Sequence, residues 1–380
     1  MKYRVLAAAI AATFTAMFAE AAHAQSSVTL YGIVDDGLSY ISNQGGHSTF
    51  KMDSGVVASD RWGLTGKEDL GGGLRAVFTL ENGFDVNSGT AAQGGALFGR
   101  RAFVGLSSDR FGTLIAGNDY DFIYDYVTFY TNTGQFGGVY SFHLGDDIDR
   151  LAGEQVHNMV RYETPNMAGF SVGAMYGFSN TAGAFGGSPT VPRTISVGLK
   201  YSPTGNFNAP YSFGAAFTKV DGGYSVPGAG TIAQYALGAK SIYTAAFGGR
   251  VKLGDFAING VYTYTNASDS PLGTVTANAY EGGLTWHPAP DLQVGVGLAY
   301  VDERKLGKYD IGTFGIDYRL SKRTDLFTVG TWQHAFAGAK VAGNFYAVTP
   351  YSQSPTMPNG VGASSTPTQT IVQIGIRHMF

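Results

Sequence analysis

Leu74-Arg75-Ala76-Val77-Phe78-Thr79-Leu80-Glu81-Asn82-Gly83-Phe84 decides the fold. In an extended chain Leu74, Ala76, Phe78 and Leu80 share one face, while Arg75, Thr79 and Glu81 share the other. That period of two belongs to a β-strand with one apolar and one polar side. Working outward, the same alternation recurs. In Gln293 to Val301, Val294, Val296, Leu298 and Tyr300 alternate with Gln293, Gly295, Gly297 and Ala299. At the end of the chain, Val372, Ile374, Ile376, His378 and Phe380 oppose Gln373, Gly375 and Arg377. No helical period is legible in the chain from Gln25 onward, and no apolar run after Phe18 approaches the length of a spanning helix.

The breaks between these segments are of two kinds. Short ones, rich in Gly, Pro, Asn and Asp, fall at 68–72, 108–112, 164–166, 202–206, 253–255, 288–291 and 321–325. Those residue types supply the fixed or positive φ of tight turns. Long polar ones fall at 42–54, 86–96, 120–152, 180–191, 221–233, 267–275, 303–307 and 339–367. Seven short turns alternating with eight long loops make fifteen connections and therefore sixteen strands. The even number puts both ends of the sheet on the short-turn side. A soluble β-sandwich would need about seven to nine strands and no such asymmetry. The expected fold is all-β: a 16-stranded antiparallel transmembrane β-barrel, with short periplasmic turns and long external loops. Closure removes the unpaired edges that hydrocarbon would leave unsatisfied. Sixteen strands also leave an aqueous interior, where eight would be filled by side chains.

The start of the chain fits this destination. Lys2 and Arg4 precede an apolar stretch from Val5 to Phe18, followed by Ala22-His23-Ala24. This is the layout of a signal peptide over residues 1–24, cleaved after Ala24, leaving one domain over 25–380. Removing Lys2, Arg4 and Glu20 leaves 23 basic and 27 acidic residues, a net charge of −4 that offers nothing to a nucleic acid. There is no cysteine, so no disulfide frame and no thiolate site. Glycine reaches 55 residues and charged residues only 14%, which is unusual for a soluble enzyme of this length.

Other chemistry finds little support. Asp146, Asp147, Asp149 and Glu154 cluster like calcium ligands but lack EF-hand spacing, and they read as a solvated acidic loop. His47, His143, His157, His287, His334 and His378 are scattered without metal-ligand spacing. Gly71-Gly72-Gly73 enters a strand rather than a helix, so no phosphate-binding helix terminus follows. No Gly-x-Ser-x-Gly elbow is present. No cofactor, metal or catalytic activity is expected. Most tyrosines and phenylalanines read as the interfacial girdles of a barrel.

Several stretches, in order, resemble the trimeric Gram-negative general porins of the β-proteobacterial type. Ser27-Val28-Thr29-Leu30-Tyr31-Gly32 is similar to the family's first strand. Arg61-Trp62-Gly63-Leu64-Thr65-Gly66-Lys67-Glu68-Asp69-Leu70-Gly71-Gly72-Gly73-Leu74 is similar to its second strand and first turn. Phe98-Gly99-Arg100-Arg101-Ala102-Phe103-Val104-Gly105-Leu106 is similar to its fourth strand. Ile374-Gly375-Ile376-Arg377-His378-Met379-Phe380 is similar to the C-terminal signal read by the barrel-assembly machinery, with Phe380 its last residue.

The resemblance implies a homotrimer in outer-membrane lipid and lipopolysaccharide, passing ions and small hydrophilic solutes. It also implies a third loop, here about Tyr120 to Leu151, folded into the barrel to form an eyelet. Arg61, Arg100 and Arg150 fall at the positions of the basic wall, and Glu81 at that of a wall acid. Asp119, Asp121, Asp125 and Gln135 belong to the acidic wall and inward loop. Gln135-Phe136-Gly137-Gly138 resembles the loop tip, with Gln135 where some members carry glutamate. Thr131 replaces an aspartate and Ile33 a lysine. Fewer loop acids with the arginines kept imply a weak anion preference, opposed by the aspartates of the same loop. Strand alternation should admit only one of Arg100 and Arg101 to the lumen, since an arginine facing lipid costs a few kcal/mol. Tyr120, Tyr124, Tyr126, Phe129 and Tyr130 are candidates for solute contact. The rival functions are a solute-specific channel, and a non-conducting adhesive barrel binding through loop 339–367.

Overall fold

A computed structural model of the chain describes residues 27–143, 148–226, 229–339 and 364–380. The expected signal peptide, Asp146, Asp147 and most of loop 339–367 lie outside the described residues. The strands are β1 (Ser27–Gln44), β2 (His47–Ser54), β3 (Arg61–Gly71), β4 (Leu74–Gly83) and β5 (Arg101–Ser108). Next come β6 (Gly112–Tyr120), β7 (Gln155–Glu163), β8 (Phe170–Gly177), β9 (Arg193–Tyr201) and β10 (Tyr211–Asp221). Then follow β11 (Ser241–Leu253), β12 (Phe256–Ser268), β13 (Val275–Ala289) and β14 (Leu292–Glu303). The last are β15 (Gly307–Arg319), β16 (Thr324–Phe336) and β17 (Thr368–Met379). Each strand from β3 onward pairs antiparallel with the next, and β1 pairs with β17 from Ile33↔Met379 to Ile41↔Ile371. Reciprocal hydrogen bonds of 3.1 Å between Gly32 and Phe380 finish the seam. The barrel is closed.

These seventeen segments make sixteen staves, because β2 and β3 are two halves of one. β2 pairs with the upper part of β1 (Asp36 to Gln44) and β3 with its lower part (Ser27 to Ile33). This corrects the reading of 42–54 as a loop: the turn is only Gly45-Gly46, and the chain then runs as strand to Ser54. The irregular piece is 55–60, and its cause is Asp35. That buried carboxylate accepts the N–H groups of Val56 (3.0 Å), Val57 (3.0 Å) and Ala58 (2.8 Å). Gly55 turns the chain into this wrap at φ +72°, which a side chain would resist. The loop expected at 303–307 is likewise short, a three-residue turn between Glu303 and Gly307.

Alternation sorts the two faces. Val104, Leu106, Val172, Val197, Leu298 and Ile374 are exposed on the outside. Thr218, Thr244, Thr263, Asn259, Glu281 and Gln373 are buried inside. Two outer belts of rings bracket the apolar band. Near the short turns, Phe170 meets Tyr201 at 4.5 Å and Phe256 stacks on Trp286 at 6.2 Å. Near the long loops, Tyr262 meets Tyr280 at 5.0 Å, and Tyr280 meets Tyr300 at 6.3 Å. Such paired girdles mark the two interfaces of a membrane barrel.

The third long loop turns inward. After β6 it forms α1 (Phe122–Val127), whose first turn is capped by Asp121 accepting from Tyr124 N at 3.1 Å. It continues to α2 (Asn132–Gln135), capped by Thr131. Phe122, Ile123, Tyr126, Val127, Tyr130 and Leu151 pack on wall residues including Ile115, Met159, Met175 and Ala216. The returning segment is covered by α3 (Ile232–Leu237), against which Ile148 packs. Inward glycines of successive strands leave the furrow that seats this loop. A Cβ on Gly214 would stand 2.0 Å from the Tyr126 carbonyl oxygen, and one on Gly315 only 1.9 Å from that of Phe136. Gly315→Val must therefore lift the α2 end off the wall toward the open lumen, at about 1–3 kcal/mol of overpacking. Single-channel conductance is expected to fall for Gly315→Val. Outward-facing Gly282, where the nearest atom is 3.9 Å away, should accept valine without that loss. Equal conductance in the two variants would contradict a furrow that sets the bore.

Candidate functional site: a constriction walled by arginines

The candidate constriction is the region where loop 3 meets β5 to β7 through the ion pairs of Arg101 and Arg161 with Asp125. Arg61 opens β3 and shares its face with Gly63 and Thr65, which register opposite Glu81 and Thr79 of β4. It is half-buried and forms no ion pair among the described residues. Glu81 is buried, accepting Arg100 Nε at 2.8 Å and the Tyr31 hydroxyl at 2.9 Å. Arg101 reaches Asp119 at 2.6 Å and Asp125 at 2.9 Å. The Tyr120 ring lies between the two guanidinium groups, 5.5 Å from that of Arg100 and 5.1 Å from that of Arg101. Tyr124 stacks on it at 4.1 Å.

Both Arg100 and Arg101 thus face inward, against the expectation that alternation would admit only one. The reason is local. β5 begins at Arg101, so Arg100 lies in the preceding connection and is free of the strand's period. Neither side chain is offered to lipid.

Arg150 is placed differently from a wall cation. It sits at the root of loop 3, buried, donating from Nε to Asp121 at 2.5 Å and from Nη1 to Glu154. Asp121 is spent on that contact and on the α1 cap, and has no exposed surface. Gln135 folds back, its side-chain amide donating to the Phe129 carbonyl at 2.5 Å while its backbone carbonyl accepts from the Gln293 side chain at 2.7 Å. Of the five aromatic candidates, Tyr120, Tyr126 and Tyr130 are buried, and Tyr124 and Phe129 retain a lumen-facing surface. Phe380 lies at the seam beside Gly32, its ring partly exposed on the outside.

Two contributors escaped the sequence reading. Arg161 of β7 donates to Asp119 at 3.2 Å, to the Tyr120 carbonyl at 3.0 Å and to Asp125, over the Phe122 ring at 4.3 Å. Alternation along β7 could have found it. Burial would raise the Asp125 carboxyl, but Arg161 and Arg101 outweigh that and hold it below the usual carboxylate range. The other is His143, joined to Asp149 at 2.6 Å and to Glu281 of β13 at 3.1 Å. Asp149 also accepts from the Thr263 hydroxyl of β12 at 2.8 Å. Nothing about a lone histidine in a polar loop announces this clasp.

The clasp gives the loop a pH window. Burial alone would lower the His143 pKa, but Asp149 and Glu281 outweigh it and push it up to about 10. Burial would raise Asp149, but His143 and Thr263 hold it below its ordinary value. A raised histidine contributes in full below its unfolded pKa and is lost as pH climbs through about 10. A depressed carboxyl contributes above its unfolded pKa and is lost as acid protonates it. Open-channel current should therefore be quiet through neutral pH and become noisy above about 10. His143→Leu should be noisy at every pH; a quiet variant would mean that the clasp does not hold the loop.

Comparison with known proteins agrees with the barrel fold. A family model described as Gram-negative porin matches residues 7–335. An outer membrane porin protein of Bordetella pertussis is 33% identical, over 89% of this chain and 95% of its own. Outer membrane porin protein 32 of Delftia acidovorans is 31% identical, over 95% and 96%. Among solved structures, the anion-selective porin from Comamonas acidovorans superimposes with a TM-score of 0.74 at 26% identity, covering 94% of this chain and all of that one. The trimer form of an outer membrane protein of Vibrio cholerae shares the fold, with a TM-score of 0.65 at 16% identity over 93% and 99%. With its closed sixteen-stave barrel, water-filled lumen and apolar outer band, the chain belongs to the Gram-negative porin family, the diffusion channels of the outer membrane.

Proposed function

We propose that the channel works as a homotrimer of passive pores with a weak anion preference, set where Arg61, Arg100 and Arg101 face loop 3. The observation that carries this is the ion-pair pattern. Glu81, Asp119 and Asp125 are the carboxylates there, and Arg100, Arg101 and Arg161 engage them all. Arg61 is the fourth guanidinium of the group and has no acid of its own among the described residues. The loop tip carries Gln135 and Thr131 and adds no negative charge. The likeness to a porin described as anion-selective supports the sign, and the trimer form of the Vibrio cholerae barrel supports the assembly.

Charges fixed on one wall of a narrow, low-dielectric passage concentrate the opposite ion. Arginine suits that task because its very high pKa keeps it charged at every working pH. Apolar solutes would have to displace oriented water without return, so small hydrophilic ones pass. No bond is made or broken. Residues 1–24 serve as a cleaved signal peptide, lipopolysaccharide surrounds the outer band, and Phe380 ends the strand handed to the assembly machinery.

Planar-bilayer recording across a KCl gradient tests this. The expected record is ohmic steps that close in threes at high voltage, with a small reversal potential on the anion side. A cation-side potential would mean that the loop aspartates govern the passage. Well-folded protein without conductance would return the adhesive reading to the front.

A further inference from the structure

On the short-turn side of loop 3 the lumen widens into a chamber of about 780 Å³. Arg250 and Lys252 of β11, Thr285 and His287 of β13 and Arg319 of β15 line it. Arg250 is only 7% exposed, yet its Nε and Nη1 have no hydrogen-bond partner and it forms no ion pair among the described residues. Thr285 Oγ1 and His287 Nδ1, on the same wall, are unpartnered as well. Lys252 and Arg319 are exposed to the chamber and likewise lack an ion pair among the described residues. The carboxylates of the lining are Asp255 and Asp317, the latter engaged by Arg377 at 3.2 Å, so the cations outnumber them. A buried guanidinium with nothing to donate to is costly, and polar groups in such a place are normally satisfied. Around this space cationic donors converge, and the partner they share is an oxyanion.

We infer that this chamber is a subsite for small oxyanions, phosphate or a short dicarboxylate, held by Arg250 with Lys252 and Arg319. Planar carboxylate and tetrahedral phosphate both match a guanidinium fork, with lysine as a second point charge. The Thr285 hydroxyl adds a neutral donor. His287 contacts Gln293 through Nε2 at 3.2 Å, leaving Nδ1 toward the chamber. Gln293 in turn donates to the Gln135 carbonyl at 2.7 Å, so the tip of loop 3 lies one hydrogen bond from the site. An anion seated here lies in the lumen beside the tip of loop 3. The inference deepens the anion-selective reading and rests on it for the path, while the binding itself rests on the chamber.

The probe is inorganic phosphate, titrated at constant ionic strength into channels conducting KCl, with block read against each variant's own chloride current. Wild-type current should fall with phosphate and saturate. Arg250→Gln and the more exposed Lys252→Gln should each raise the half-blocking concentration about tenfold, ~1.4 kcal/mol of lost binding. Arg250→Lys, which keeps the charge, should stay close to wild type. Current that changes linearly without saturation would mean that water satisfies these donors, and the subsite would be overturned. Saturating block unaltered in both glutamine variants would overturn it too, placing the block at the constriction. A cation-side reversal potential with phosphate block intact would sink the selectivity reading alone.

Discussion

Arg61→Glu is expected to move the reversal potential in a KCl gradient from the anion side to the cation side. The residue stands on the lumen face, half-buried, without an ion pair among the described residues, so its replacement breaks no salt bridge. Its neighbours are already balanced, since Glu81, Asp119 and Asp125 are each held by another arginine. The substitution changes the local charge by two and leaves those pairs in place. A unit charge 4 Å away acts with ~1 kcal/mol in water and ~4 kcal/mol at the effective dielectric near a protein surface. A weak preference needs less than that to reverse. The effect should be large near 0.1 M salt, where the screening length is about 10 Å, and shrink at 1 M, where it is about 3 Å. Arg61→Gln should land between the two. A sign unchanged by Arg61→Glu would take command of the passage away from this residue.

The barrel was legible because lipid and water enforce a strict period on every strand that separates them. Sixteen staves and their fifteen connections follow from alternation and turn chemistry. The reading fails where that enforcement stops. β2, from His47 to Ser54, descends from the loop end, and only Phe50 and Met52 carry the outward apolar alternation among polar neighbours, too short a run to tell a hairpin arm from a loop. The break after it depends on Asp35, some twenty residues earlier, whose carboxylate gathers three backbone N–H groups. That contact is tertiary and has no local signature.

The constriction was legible in the same measure. Arg61 and Glu81 lie on strands, and alternation puts both inside. Arg161 obeys the same rule on β7, in Gln155 to Glu163. Arg100 escapes the rule because it precedes its strand by one residue. Arg150, Gln135 and His143 lie in a loop whose path is set by the glycine furrow. The glycines are plain in the sequence. That Gly214, Gly248 and Gly315 line one track becomes visible only when strand register aligns them against Tyr126, Tyr130 and Phe136.

Arg150→Met should release the root of loop 3. Arg150 lies between two carboxylates, 2.5 Å from Asp121 and also bound to Glu154, with 4% of its side chain exposed against 1% and 14% for theirs. Methionine has similar length and would keep the packing, but it takes the guanidinium away from buried Asp121 and partly buried Glu154. Breaking a buried pair in this way costs about 3–5 kcal/mol, most of it the penalty on the charge left behind. The backbone is not the cause, since the position's φ of +66° burdens either side chain alike. Asp121 also caps α1, so its protonation or displacement would loosen the helix that carries Phe122 and Tyr126 onto the wall. Protease cleavage of the folded protein within 121–154 should rise by orders of magnitude, with open-channel noise rising beside it. The triple variant Asp121→Asn, Arg150→Met, Glu154→Gln removes the stranded charges and should recover much of the resistance, because contacting residues do not add. If Arg150→Met alone resists protease like its parent, the buried triad is not what fastens the loop, and the clasp at His143 and the furrow must hold it unaided.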